Sequence, residues 1–375
     1  MDFSNDSRWI CQFPPSLAVE GESCYTEMSR MGTNRLLFCT MIYAPYRMLM
    51  PRYPQKALYS MEEGKYFFLP ESHRYRDLPV QPTPSTDFDG RDLLAEAVHG
   101  ARKAGISPGA WLTSFASGLL AKSHPQWAIQ NLYGSADRLF LCFNNPEVRE
   151  YTFRVCSEIA GRYEIDELML DKIPQHCIES ECMAGGRLDP VVRTMASICC
   201  CPHCTAAAAV DGIDLQECRQ KAIMLCAEFM KMSQHVLNAR GYELLGDTGV
   251  PLLLVDHPWV LDLLRFRINA VRGVLTEVRK HLNDIRPDVK LSIAFVPPIT
   301  SGHDAAQPRS WLAAQSYAGY KDADADIIHS VIHQDPKSVE YDTRRAVDAV
   351  ADGHVEIVTH VRACGSTNPL EIGDL

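Results

Sequence analysis

No stretch of the 375-residue chain approaches the roughly 18 consecutive apolar residues that a membrane-spanning helix requires. The start, MDFSNDSRWICQF, has neither the basic region nor the apolar core of a secretory signal. These absences lead us to expect a soluble, cytoplasmic protein with no membrane partner. Basic charge is also in short supply: 37 Lys and Arg face 47 Asp and Glu, a formal charge of −10. A nucleic-acid partner, which needs a clustered basic face, is therefore not expected. No G-x-G-x-x-G follows a strand, no G-x-x-x-x-G-K-[ST] occurs, and no G-x-S-x-G elbow is present. Without those phosphate cradles a nucleotide cofactor has no seat, and the enzyme classes left are those that use carboxylates or a metal on a small, neutral substrate.

What is present is enough for a full core, with 46% hydrophobic and 22% charged residues. The length suits one α/β barrel domain over residues 1–375, with long loop insertions at 44–89 and 172–212. Its oligomeric state, a homo-oligomer included, is left open. The 14 cysteines, in a chain with no export signal, read as free thiols or metal ligands rather than disulfides. Cys39, Cys142, Cys156 and Cys226 sit in apolar patterns and read as small core residues.

Short apolar runs alternate with amphipathic helical patterns. Buried strands are expected at Arg35–Tyr43, Gly109–Phe115, Ile165–Leu170, Lys290–Val296, Asp326–Ile332 and His354–Val361, with weaker candidates at Lys65–Leu69 and at PLLLV near Leu252. Helices are expected at Arg91–Ala104, Glu147–Arg162, Leu215–Leu237, Pro258–Leu282 and Tyr341–Ala351. Asn145 and Pro146 start the second of these as capping rules require. This repetition predicts an α/β fold, a (β/α)8 TIM-type barrel. The chain ends 14 residues after Val361, so the last βα unit is expected to be incomplete or irregular, with Trp9–Phe13 available to close the seam.

The segment from Arg138 to Cys204 packs a turn, a capped helix, a strand ending in Asp171 and a cysteine knuckle into one unit. Its pieces LCFNNPEVREY (Leu141–Tyr151), RYEIDELMLD (Arg162–Asp171) and the C-x-C-x-x-C run Cys199, Cys201, Cys204 followed by GIDL resemble a group of glycoside-hydrolase-like TIM-barrel proteins. HPQWAIQNLYG (His124–Gly134) and RFRINAV (Arg265–Val271) extend the resemblance, which spans Arg35–Ala363. It implies a barrel that acts on glycosidic bonds or descends from enzymes that do. The chain departs from the group where the strand ends in MLDK and the loop reads HCIESECMAGG.

Asp171 is the first candidate for a catalytic carboxylate. It shares one strand face with Glu167 and Met169 and lies at the C-terminal exit, where barrel enzymes keep their chemistry. A glycosidase needs a second carboxyl group, and Glu179, Glu181, Asp256 and Asp335 are open alternatives. A salt bridge to Lys172 or Arg162 would account for Asp171 without catalysis. His333, rather than His329, is placed nearer its strand exit as an acid, base or sugar contact. Tyr43, Trp111, Trp127 and His124 are candidate walls for a sugar ring, with the core reading favoured for Trp111. Asn144 and Arg267, within the resembling segments, complete the candidate substrate contacts.

Cys199, Cys201 and Cys204 have zinc-ligand spacing, with His176 the candidate fourth ligand and Cys200, His203, Cys177 and Cys182 nearby. Such a thiolate-rich site would be structural. Three functions remain: a glycosidase-like hydrolase using carboxylates, an inert carbohydrate-binding barrel, and a metal-dependent hydrolase or isomerase using the His/Cys loop.

Overall fold

The computed structural model describes residues 8–45, 47–49, 58–173, 195, 198–231, 249–295, 314–332, 336–351 and 353–361. Eleven strands are present among them: β1 (Trp9–Gln12), β2 (Arg35–Cys39), β3 (Arg47–Leu49), β4 (Leu58–Ser60), β5 (Ser107–Thr113), β6 (Ala128–Gln130), β7 (Ala136–Leu141), β8 (Glu167–Asp171), β9 (Lys290–Phe295), β10 (Ile327–Ile332) and β11 (Glu356–Val361). Seven form one sheet in the order β1-β2-β5-β8-β9-β10-β11, and each adjacent pair is parallel. Spatial order follows chain order throughout, the winding of a barrel rather than of a doubly wound sheet, whose order reverses at a switch point.

The strands of this sheet read as near-continuous apolar runs because both faces are covered. Leu36 and Phe38 of β2 face the helices, as do Leu168 and Leu170 of β8, and all four are buried. The alternate residues Leu37, Met169 and Ala294 meet Trp9, Cys11 and Trp111 in a separate inner cluster. Gly109 belongs to that inner face, where a Cβ would lie 2.7 Å from Leu37 Cδ2 and 3.2 Å from Glu167 Cβ. A larger residue there would push β2 and β8 apart.

The sheet is strongly curled. Laid flat, β1 and β10 would stand five strand spacings apart, about 24 Å. Instead the Trp9 ring packs edge-on against the His329 ring at 4.9 Å between centroids. The expected N-terminal strand is thus present, paired with β2 and reaching across the seam. Among the described residues no strand links β1 to β11, so the structure shows a seven-stranded half-barrel compatible with a TIM-type barrel.

Several expectations shift. KYFFL contributes only single bridges at Tyr66, to Met41 and Pro84. PLLLV lies in the helix Gly249–Asp256, so Asp256 ends a helix instead of a strand and is exposed there. The hairpin of β6 and β7 was not anticipated; its tip is held by Asn131, whose Oδ1 accepts the Tyr133 and Ser135 amides. The expected cap at Asn145 stands, its side chain accepting the Glu147 amide at 2.9 Å, whereas the helix expected from Arg91 starts two residues later, at Leu93, with Asp92 accepting the Ala95 amide at 2.9 Å. No helix among the described residues is long and apolar enough to cross a membrane.

Burial of the core thiols has a measurable consequence. Cys156 is inaccessible and burial pushes its pKa from 9.0 up to about 12, while burial also raises Cys39. An unfolded chain ionises these thiols near pH 9 and the folded one does not. The stability they contribute is therefore complete below pH 9 and is lost as pH climbs toward 12. The melting temperature in reducing buffer should fall steadily above pH 9, and Cys156→Ala should lessen that slope. A Cys156→Ala slope identical to wild type would remove the thiol from the account.

Candidate active site and cysteine centre

At the C-terminal exit of β8 the chain turns sharply. Lys172 has φ of 61°, in the left-handed region, and its backbone N–H donates to Asp171 Oδ1 at 2.7 Å. The other carboxylate oxygen accepts the Trp111 indole N–H at 3.2 Å. Asp171 is half-buried and is anchored through its own carbonyl, which accepts the Ser114 amide at 2.9 Å. A carboxylate fixed by two N–H donors is oriented.

Tyr43, four residues past the end of β2, approaches the same turn: the Lys172 ammonium lies 5.1 Å from its ring centroid. Trp111 is half-buried, packs on the inner cluster and leans on Phe13 at 5.7 Å. Phe295 at the end of β9 stacks on Tyr317 at 4.0 Å. Behind them the phenol of Tyr320 is held above its ordinary value, chiefly by burial, with the charges of Tyr317 and Asp171 adding to it. The exits of β2, β5, β8 and β9 thus present Tyr43, Trp111, Asp171, Lys172 and an aromatic pair. Lys172 and Tyr317 do not stand out as site residues in the sequence, and Trp111, a candidate wall, reads more readily as core because it lies in an apolar strand.

Four residues before Asp171, about 13 Å down the strand, Glu167 begins β8 inside the barrel. Its Oε1 accepts the Ser292 hydroxyl and contacts His329 Nε2 at 2.6 Å. All three are buried. A histidine on an apolar strand is here a partnered interior residue, as the sequence suggested for His329. The Glu167 carboxylate is committed to that network below the mouth.

The other candidates scatter. Trp127 is fully buried, with its indole N–H donated to Glu147 at 2.6 Å, and His124 packs on it at 5.2 Å beside the Ser123 hydroxyl. Neither touches the mouth residues. Arg267 is buried within the helix Trp259–Ile285. Glu179, Glu181, His333, Asp335 and His176 lie outside the described residues.

The second constellation is a thiol cluster. The sulfurs of Cys142, Cys199, Cys201 and Cys204 all lie within 4.8 Å of one another, and all four residues are buried. Cys142 sits 3.5 Å from both Cys201 and Cys204. Cys142, read from the sequence as a small core residue, is buried in the core and also brings the fourth thiol of this group, while His176, the candidate fourth ligand, lies outside the described residues. The position of Cys142 just beyond β7 gives no local sign of the group: nothing in the pattern distinguishes it from other cysteines in apolar runs. Cys200 turns away, and its amide donates to the Gln130 carbonyl at 2.7 Å.

The cluster carries its own N–H donors. Cys201 caps the helix Pro202–Val210 and accepts the Cys204 amide at 3.5 Å. The Gln130 amide donates to Cys199 and the Asn144 side-chain amide to Cys204, both at 3.4 Å. Asn144 therefore serves the cysteines, and its carbonyl oxygen is held by Arg149. Hydrogen bonds from Cys142, then Cys199 and Cys204, pull the Cys201 thiol far below its ordinary value, while the same sharing pushes Cys142 and Cys204 well above it. Crowded thiols in a buried site resist a second negative charge unless a cation compensates. A tetrahedron with metal–sulfur bonds of about 2.3 Å has sulfur–sulfur edges of about 3.8 Å. The observed separations fit, so this buried group can hold a metal.

No family model and no curated protein matches the chain. Among solved structures, the β-galactosidase of Rahnella sp. R3 aligns over 98% of this chain and 47% of its own, at 12% identity and a TM-score of 0.51. The β-galactosidase of Halorubrum lacusprofundi covers 91% and 46% at 14% identity, TM-score 0.48. A glycoside hydrolase domain from Bordetella bronchiseptica covers 94% and 93% at 10% identity, TM-score 0.46. The chain spans less than half the length of the two β-galactosidases. At such identities the likeness speaks for the fold alone, and the Rahnella β-galactosidase, at a TM-score of 0.51, is a neighbour in that sense.

Proposed function

We propose that this protein is a glycoside-hydrolase-like enzyme that cleaves a glycosidic bond at the mouth of an eight-unit barrel, with Asp171 as nucleophile or general base. The observation that carries this reading is Asp171 itself, half-buried at a strand exit and aimed by the Trp111 indole and the Lys172 amide. Catalysis of this type needs one carboxyl group to protonate the leaving oxygen and one to attack the anomeric carbon or activate water. Asp171, oriented by its donors, suits the second role. The proton donor is assigned to a carboxyl group of the neighbouring loops, with Glu179, Glu181 and Asp335 the candidates, and His333 is a candidate sugar contact.

We assign Cys142, Cys199, Cys201 and Cys204 as ligands of a structural zinc ion. Four thiolates fill a tetrahedral shell, so the metal would supply cross-linking and not Lewis-acid chemistry. Its effect would be to fix the strand exit after β7 to the chain that returns from the β8 loop.

The test is turnover. Purified protein, reduced and zinc-supplemented, should release aryl alcohol from at least one member of a panel of aryl glycosides and aryl glycuronides. Complete inactivity across that panel, in protein shown to be folded, would leave the inert carbohydrate-binding barrel as the better account.

A further inference from the structure

We propose that Asn144, backed by Arg149, is a positioning residue of the cysteine centre: its side-chain amide shares the charge of the Cys204 thiolate and so sets how tightly the centre holds its metal. This rests on the assignment of the four cysteines as metal ligands. It goes beyond that assignment by naming the side chains outside the ligand set on which the metal depends.

The segment Cys142–Arg149 reads CFNNPEVR, and its polar residues take different tasks. Cys142 supplies one sulfur. Asn145 accepts the Glu147 amide at 2.9 Å and starts the helix Pro146–Arg162. Asn144, the residue before that cap, turns to the sulfurs instead, with Nδ2 3.4 Å from Cys204 Sγ. Its orientation is forced from its other end. Arg149 Nη2 donates to Asn144 Oδ1 at 3.2 Å, and a guanidinium has no acceptor to offer, so the oxygen faces the arginine and the amide N–H faces the sulfur. The arginine is itself fixed on two more sides. Its Nε donates to the Phe143 carbonyl at 2.6 Å, and its Nη1 to Glu277 Oε1 of the helix Trp259–Ile285 at 2.9 Å.

Four thiolates around a divalent ion leave two negative charges in a site whose ligands are all buried. Charge held away from water is costly unless N–H donors or a cation take part of it up. Three of the four sulfurs accept an N–H: Cys199 from the Gln130 backbone, Cys201 from the Cys204 backbone, and Cys204 from Asn144. The two backbone donors come with the path of the chain. The third belongs to a side chain, and an aspartate of the same size at position 144 would lack it. Through Asn144 the sulfur is also linked to a guanidinium, whose charge polarises the amide and strengthens its N–H as a donor. Partners in this outer layer, which orient the ligands and tune their basicity, contribute about 10–100-fold in metal affinity.

The experiment is competition of the full, reduced chain against a chromophoric zinc chelator, with Co2+ as a spectroscopic probe of the same site. Asn144→Ala and Asn144→Asp should each lower zinc affinity by about 10–100-fold, with about one metal per chain still bound at saturation. The aspartate keeps an oxygen for Arg149 and loses the donor, so it separates the N–H from the packing. Arg149→Met should lower affinity in the same direction by a smaller factor. In the Co2+-saturated proteins the thiolate-to-metal absorption should move to longer wavelength in both Asn144 variants, because a sulfur relieved of a hydrogen bond gives up electron density more readily. That absorption is read on loaded protein, so it decides even where a variant is unstable without metal. Wild-type affinity in both Asn144 variants overturns the proposal and leaves the metal assignment standing. A fall in affinity with the absorption unmoved gives Asn144 a merely structural role and overturns it as well. Reduced wild type that binds neither zinc nor cobalt overturns the proposal and the metal assignment together.

Discussion

Asp171→Asn should lower turnover by about 10²–10⁴-fold, the range removed with a positioned acid–base group, while the melting temperature stays within a few degrees of wild type. The two side chains have nearly the same shape. The Trp111 indole N–H can still donate to the amide oxygen if that oxygen takes the place of Oδ2. What disappears is the negative charge, and with it the capacity to attack the anomeric carbon or take a proton from water. If Asp171 is the nucleophile, Asp171→Gly with added azide should regain activity on an activated aryl glycoside and yield a glycosyl azide. Undiminished turnover in Asp171→Asn, measured on freshly purified protein, would dismiss the assignment.

Cys142→Ser should be the most destabilising single change at the cysteine centre. The four sulfurs come from two places far apart in the chain, residue 142 and residues 199–204, so a metal bound by all four would hold a long loop closed. By analogy with a cross-link across 57 residues, that constraint contributes about 4 kcal/mol through the unfolded state. Structural zinc sites in small domains contribute still more. Wild-type protein should contain about one zinc per chain, lose it to a strong chelator, and melt at lower temperature afterwards. Cys142→Ser should lose the metal outright, whereas Cys200→Ser, whose sulfur lies outside the cluster, should keep it. Equal metal content in wild type and Cys142→Ser would show that the fourth position is filled by another group.

The legible and illegible parts of the sequence divide by the range of the interactions involved. Strands β2, β5, β8, β9, β10 and β11 announce themselves because a strand covered on both faces is an uninterrupted apolar run, and the helix after β7 because Asn145 and Pro146 mark its start. PLLLV was undecidable by periodicity and went to helix. Asp171 could be singled out because its position at a strand exit is a one-dimensional fact. The fourth cysteine could not, since pairing Cys142 with a knuckle nearly 60 residues away is a tertiary event. Nor could the Glu167–His329 contact, which joins residues 162 apart in sequence. Trp127 misled for the opposite reason: an indole suited to sugar stacking is equally suited to a core once its N–H finds Glu147.

The consecutive strand order bears on how such a fold can vary. Ile327 of β10 and its β11 partner Glu356 are 29 residues apart, whereas Glu167 of β8 and its β9 partner Lys290 are 123 apart. Closure entropy grows only with the logarithm of loop length, at about 0.6 kcal/mol per doubling. A crossover some four times longer than its neighbour thus carries about 1.2 kcal/mol of extra closure penalty. The long excursion leaves the sheet immediately after Asp171 and Lys172. Such a scaffold tolerates large changes of sequence and length beside the carboxylate at this strand exit at little thermodynamic expense, so the surroundings of Asp171 can be remodelled without rebuilding the sheet.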